Sequence, residues 1–147
     1  MGQVSASSSI AVAADPHRTL EAVADYQTVR PRILSSHYSE YKVIEGGKAT
    51  DAIPTVVEWR LQATESRVRN VRATVTADES SVTERDANST LVTTWKVSPD
   101  GAGSQVTVTT TWQGAGGVKG IFEGIFAPLG LKKIQGEVLG NLKKELG

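Results

Sequence analysis

The chain has 147 residues, with 16 Lys+Arg against 16 Asp+Glu, and this zero net charge argues against a nucleic-acid partner, which selects a basic excess. It has no cysteine, which excludes disulfides, a thiol nucleophile and a thiolate metal site. His17 and His37 are too few for a dedicated zinc site, so no metal and no cofactor is expected.

The length fits one domain, residues 1–147, with a core of its own. No charged stretch followed by an apolar core marks a secretory leader, and no apolar run approaches the ~20 residues of a membrane span. The start nearly fits a myristoylation pattern and fails at Ala6, where Ser or Thr is needed. The expectation is a cytoplasmic protein without a transmembrane segment, monomeric or weakly dimeric.

Gln3 to Ala13 alternates, with Val4, Ala6, Ser8, Ile10 and Val12 on one side, and predicts a first strand. Asp15-Pro16 supplies a helix start, Asp15 as N-cap and Pro16 in first position. The helix is short, because Asp25-Tyr26 and Arg30-Pro31 interrupt it, and a second short helix or turn follows over Thr28 to Leu34. Ser36 to Gly47 predicts a strand closed by a Gly46-Gly47 hairpin turn. Ala52 to Ala63 places Ile53, Thr55, Val57, Trp59 and Leu61 on one face, with Pro54 marking an edge or a bulge. In Arg67 to Ala77 the inner residues are Val71, Ala73, Val75 and Ala77, and the out-of-phase Val68 suggests a bulge near Asn70. Three more strands follow over Ser81–Asp86, Thr90–Val97 and Gln105–Trp112, the last two joined by the hairpin signal Pro99-Asp100-Gly101.

The long helical signal is at the end, Gly116 to Gly147. Val118, Ile121, Phe122, Ile125, Phe126 and Leu129 form one apolar stripe. Leu131, Ile134, Val138, Leu142 and Leu146 form a second, rotated by roughly 140° at about 100° per residue. Pro128 sits at the offset, and its ring would press on the carbonyl of Gly124, so a kink or break is expected there. Five glycines between Gly120 and Gly140 each cost a helix interior about 1 kcal/mol, so packing must hold it. Strands joined by short turns pair antiparallel, and this helix alone is long enough to cover their apolar face.

This order, with Ala14-Asp15-Pro16, Val23-Ala24-Asp25-Tyr26, Val57-Glu58-Trp59, Thr93-Thr94-Trp95-Lys96-Val97, Pro99-Asp100-Gly101 and Phe122…Phe126-Ala127-Pro128…Leu142-Lys143, resembles the START/Bet v 1-like (SRPBCC) superfamily. The nearest subgroup is the bacterial polyketide cyclase/dehydrase type. The resemblance implies an α+β helix-grip fold, in which a curved antiparallel sheet of about seven strands wraps around a long C-terminal helix. It also implies an apolar cavity for a lipid, polyketide or other hydrophobic small molecule.

By alternation, the sheet side of such a cavity is lined by Val57, Trp59, Leu61, Val71, Val75, Trp95, Val108 and Trp112. The helix side is lined by Ile121, Phe122, Ile125, Phe126 and Leu129. The same residues also suit a filled core, and the three Trp rings could shrink a cavity as readily as floor it. Tyr26, Tyr38 and Tyr41 fall near the expected mouth, where their hydroxyls could meet a ligand carbonyl or simply pack the rim. Arg67, Arg69 and Arg72 face Glu84 and Asp86 across neighbouring strands, which predicts cross-strand ion pairs or one charge turned inward. His37 beside Ser35 and Ser36 is weak evidence for catalysis, because neighbours on a strand point to opposite faces. No catalytic residue is identifiable. The expectation is binding or transport of a hydrophobic small molecule, with a polyketide cyclase/dehydratase-type enzyme and a protein-interaction module as alternatives.

Overall fold

The computed structural model describes residues 3–65, 67–113 and 128–147. In chain order these form β1 (Gln3–Val12), α1 (Pro16–Val23), α2 (Arg30–Ile33), β2 (Tyr38–Glu45), β3 (Thr55–Gln62), β4 (Val68–Ala77), β5 (Ser81–Asp86), β6 (Val92–Asp100), β7 (Gly103–Gln113) and α3 (Pro128–Leu146). The strands build one open, curved antiparallel sheet in the order β1-β7-β6-β5-β4-β3-β2. Five of its six pairings join sequence neighbours, and the sixth sets β1 beside β7 from Gln3↔Gln113 to Val12↔Ser104. Strict alternation along β3 and β7 turns Val57, Trp59, Leu61, Val106, Val108 and Trp112 inward. Gly103 is required where β7 begins, since a Cβ there would lie 2.2 Å from the Val12 carbonyl oxygen.

α1 starts as its sequence dictates. The Asp15 side chain accepts from the Arg18 N–H at 2.8 Å, and Pro16 occupies the first turn. Asp15→Ala is expected to lower stability by about 1 kcal/mol in urea unfolding, with the slope unchanged.

The Gly46-Gly47 pair does not close a tight hairpin. Both have positive φ, 68° and 152°, but the connection runs from 46 to 54 and docks on the end of α1. Tyr26 N–H donates to the Gly47 carbonyl at 2.7 Å and Ala49 N–H to the Ala24 carbonyl at 2.9 Å, so tertiary bonds replace the hairpin ladder. Ile53 lies in this connection and is exposed, not on the inner face. Pro54 precedes β3, an interior strand, and the edge is β2. The irregularities also fall in β2, with register shifts between Ser39/Lys42 and Val43/Glu45 and a left-handed Glu40 at φ 54°. No bulge occurs near Asn70, where the β3–β4 register runs unbroken from Gln62↔Val68 to Thr55↔Val75. The phase of Val71 then carries Arg69, not Val68, to the inner side.

α3 buries its whole predicted second stripe, Leu131, Ile134, Val138, Leu142 and Leu146, together with Gln135 and Leu139. Leu129, expected to face the sheet, is 81% exposed. Residues two apart on a helix differ by roughly 200°, so an inward Leu131 sends Leu129 outward. Val118, Ile121, Phe122, Ile125 and Phe126 lie outside the described residues. α3 packs chiefly on β1 and α2. Ser8 Oγ donates to Gln135 Oε1 at 3.0 Å, and Gln135 Nε2 donates to the Ala6 carbonyl at 3.1 Å. Asn141 Nδ2 donates to the Ile33 carbonyl at 3.0 Å. No described helix is long and apolar enough to cross a membrane.

Candidate functional site

α3 leans on β1 at one side of the sheet, and the described residues leave space over the inner faces of β3, β6 and β7. A cavity of about 40 Å³ remains among Tyr38, Trp59, Leu61, Leu91, Thr93, Trp95, Val108, Thr110, Leu131, Gln135 and Val138. Most of this wall is apolar. Trp59 is fixed between two tyrosines, edge-on to Tyr38 at 6.3 Å and stacked on Tyr41 at 6.4 Å.

The polar groups of the wall divide into two kinds. Gln135 is satisfied, with Nε2 also donating to Thr110 Oγ1 at 3.2 Å, and Thr110 and Thr93 share a hydroxyl bond of 2.9 Å. Two others are not. The Trp95 indole N–H is buried without a hydrogen-bond partner among the described residues, and the hydroxyl of the half-buried Tyr38 makes no hydrogen bond among them. Burial raises the Tyr38 pKa well above the ordinary phenol value, so it is a neutral O–H donor at physiological pH.

Behind Trp95 lies a buried ionic cluster. Arg30 of α2 and Glu84 of β5 are 3% and 6% exposed. Arg30 Nη1 donates to Glu84 Oε2 at 2.5 Å, Tyr26 Oη donates to the same oxygen at 2.5 Å, and Arg30 Nη2 donates to the Val23 carbonyl at 3.2 Å. The guanidinium lies 4.1 Å from the Tyr26 ring centroid and 4.7 Å from that of Trp95. Burial alone would lower the Arg30 pKa, but the Tyr26 and Glu84 oxygens outweigh it and raise it. Burial is also the main cause that pushes the Tyr26 hydroxyl far up. Tyr41 Oη donates to the Tyr26 carbonyl, which ties β2 to the cluster. Glu84 does not line the cavity. The cluster holds Trp95 in place and presents no carboxylate to a ligand.

Of the predicted lining residues, Tyr38, Trp59, Leu61, Trp95 and Val108 are brought together in the wall. Val57, Val71, Val75 and Trp112 are buried but pack elsewhere in the core, because the sheet curves away from the gap. Tyr41 stands behind Trp59. Leu129 is on the surface, and Ile121, Phe122, Ile125 and Phe126 lie outside the described residues. Of the charges expected to pair between β4 and β5, Arg69 is attracted to Asp86 and the Arg72 backbone N–H donates to Asp86 Oδ1 at 3.0 Å, while the other partners differ. Arg72 pairs with Glu58 of β3 at 2.5 Å, and Glu84 turns inward to Arg30. His37 has its Nδ1 2.9 Å from the Gln62 carbonyl and its Nε2 3.6 Å from Glu137. His17 is exposed beside Glu21.

Sequence reasoning missed Arg30 and Gln135, and named Glu84 only as a cross-strand partner or a charge turned inward. Glu84 carried a signal, since it shares the inward phase of Val82 on β5. Arg30 and Gln135 carried none beyond a short helix and a helix stripe. Among the described residues no group of three or more His, Cys, Asp or Glu side chains is placed to hold a metal.

Residues 3–147 match the family described as polyketide cyclase / dehydrase and lipid transport. The chain belongs to that family. The solution structure of KanY protein is 60% identical, covers 99% of both chains and superposes with a TM-score of 0.89. Major latex-like protein 151 of Panax ginseng shares the fold at 15% identity, with a TM-score of 0.71 and 97% of both chains covered. The di-domain ARO/CYC BexL of the BE-7585A biosynthetic pathway shares it at 15% identity and a TM-score of 0.70, over 97% of this chain and 49% of BexL. No curated protein sequence matches the chain.

Proposed function

We propose that this protein binds or carries a hydrophobic small molecule, such as an acyl chain, a polyketide or an isoprenoid, between the sheet and α3. The observation that carries this reading is the largely apolar cavity whose wall holds the Trp95 indole N–H, buried with no hydrogen-bond partner among the described residues, beside the Tyr38 hydroxyl. A buried donor without a partner costs about 1–3 kcal/mol, and a ligand carbonyl or hydroxyl oxygen relieves that cost. The rest of the affinity comes from apolar burial at about 25 cal/mol per Å². A cavity of about 40 Å³ is well below the ~300–1,000 Å³ of typical ligand sites. Ligand entry therefore displaces side chains of α3 or swings the Trp rings, and the protein relaxes around its guest.

Leu131 of α3 lines the cavity and is buried. Leu131→Trp is expected to lower uptake of a fluorescent apolar probe at least about tenfold, with cooperative unfolding retained. Undiminished uptake by a folded variant would place the ligand elsewhere.

A second reading, a cyclase or dehydratase acting on a polyketide, is supported by the family description and by the neutral Tyr38 hydroxyl in the wall. Such an enzyme would orient a flexible chain and use Tyr38 as proton donor. Tyr38→Phe would then abolish turnover and leave binding within a few-fold. A carrier shows no turnover to lose.

A further inference from the structure

A second cavity, of about 130 Å³, adjoins the first and shares Leu131 with it. Its floor is apolar, Ala63 from the end of β3 and Leu131 and Ile134 from α3. Its rim carries His37, Arg67, Lys133 and the Thr64 hydroxyl, with no acidic side chain among the described residues that line it. Glu137 lies 3.6 Å from His37 and engages that ring. Arg67 and Lys133 make no ion pair among the described residues. Two exposed cations above an apolar floor, with a second apolar cavity on the other side of the shared Leu131, match one ligand chemistry: an anionic head on an apolar chain.

We infer that the bound molecule is an amphipathic carboxylic acid, its carboxylate held at Arg67 and Lys133 and its chain running past Leu131 into the cavity under α3. This inference rests on the binding reading above. Guanidinium and ammonium donors make charge-assisted bonds to a carboxylate, while an ester of the same chain gains only the apolar contacts. The orientation also leaves the far end of the chain to meet Tyr38 and Trp95, so a distal carbonyl or hydroxyl adds affinity.

The test compares cis-parinaric acid with its methyl ester, by their own fluorescence, on the wild-type chain and on the Arg67→Gln/Lys133→Gln double variant. Both positions are exposed, so the variant folds. The acid is expected to bind the wild type about fivefold or more tightly than the ester, and raised salt should narrow the gap. In the double variant the acid should fall to the level of the ester, whose own affinity stays unchanged. Equal binding of acid and ester to the wild type, or an acid preference that survives in the variant, overturns the carboxylate site and leaves the binding reading intact. Failure of both probes to bind the wild type overturns the binding reading and the inference with it.

Discussion

Glu84→Ala is expected to cost about 3–5 kcal/mol of folding stability, measured as a fall in the urea midpoint. The size follows from what the substitution leaves behind. Arg30 is 3% exposed and stacked between the Tyr26 and Trp95 rings, so it has no route to water without breaking the wall of the cavity. Removing Glu84 strands that charge, and it also takes the acceptor from Tyr26 Oη. Breaking a buried pair costs far more than the pair contributes net, because one ion remains desolvated. The Arg30→Met/Glu84→Leu double variant should therefore be more stable than Glu84→Ala alone, although it leaves the Val23 carbonyl without its Arg30 donor. Strict additivity of the single changes would show that the two side chains are not coupled. The same double variant should loosen Trp95, readable as a shift in tryptophan emission.

At alkaline pH the protein should unfold in one step that releases its tyrosines together. All three tyrosines of the chain, Tyr26, Tyr38 and Tyr41, have hydroxyl pKa values raised by burial above the ordinary value of about 10. A tyrosine held protonated by the fold stabilises it fully below the unfolded value. That contribution is lost as pH rises from about 10 through the raised folded values, since the unfolded chain sheds protons that the native chain keeps. Each pH unit above 10 then removes up to about 1.4 kcal/mol for the fully buried Tyr26, and less for the partly exposed Tyr38 and Tyr41. Two units bring about 3 kcal/mol or more against a total stability of about 5–15 kcal/mol. Phenolate absorbance and far-ultraviolet circular dichroism, followed together against pH, should change in the same transition. A tyrosine titrating near pH 10 with the dichroism intact would contradict the burial argument.

The sheet was legible because its residues obey period two. Val57-Glu58-Trp59-Arg60-Leu61 and Val106 through Trp112 alternate so strictly that each inner residue could be named from the chain. α1 was legible through Asp15-Pro16, a local signal with a local cause. What failed was tertiary. Gly46-Gly47 has the composition of a hairpin, but its carbonyl is taken by Tyr26, far back in the chain. Leu129 belongs to an apolar stripe in sequence, yet the helix that buries Leu131 turns it to the surface. The candidate site was half legible for the same reason. Alternation says which face a residue joins but not whether that face meets a cavity, a helix or another side chain, so Val57 and Val75 were grouped with Trp59 and Trp95. The Arg30–Glu84 pair depends on α2 folding over β5, a juxtaposition that no spacing in the sequence records.

Native mass spectrometry of freshly purified protein, followed by organic extraction and identification of what is released, tests the binding claim most directly. A stoichiometric apolar molecule bearing a carboxylate is expected, retained by the wild-type chain and lost from Leu131→Trp. A wild-type protein that emerges empty, and that takes up neither parinaric acid nor its ester, would contradict it and make the gap beneath α3 an ordinary packing void.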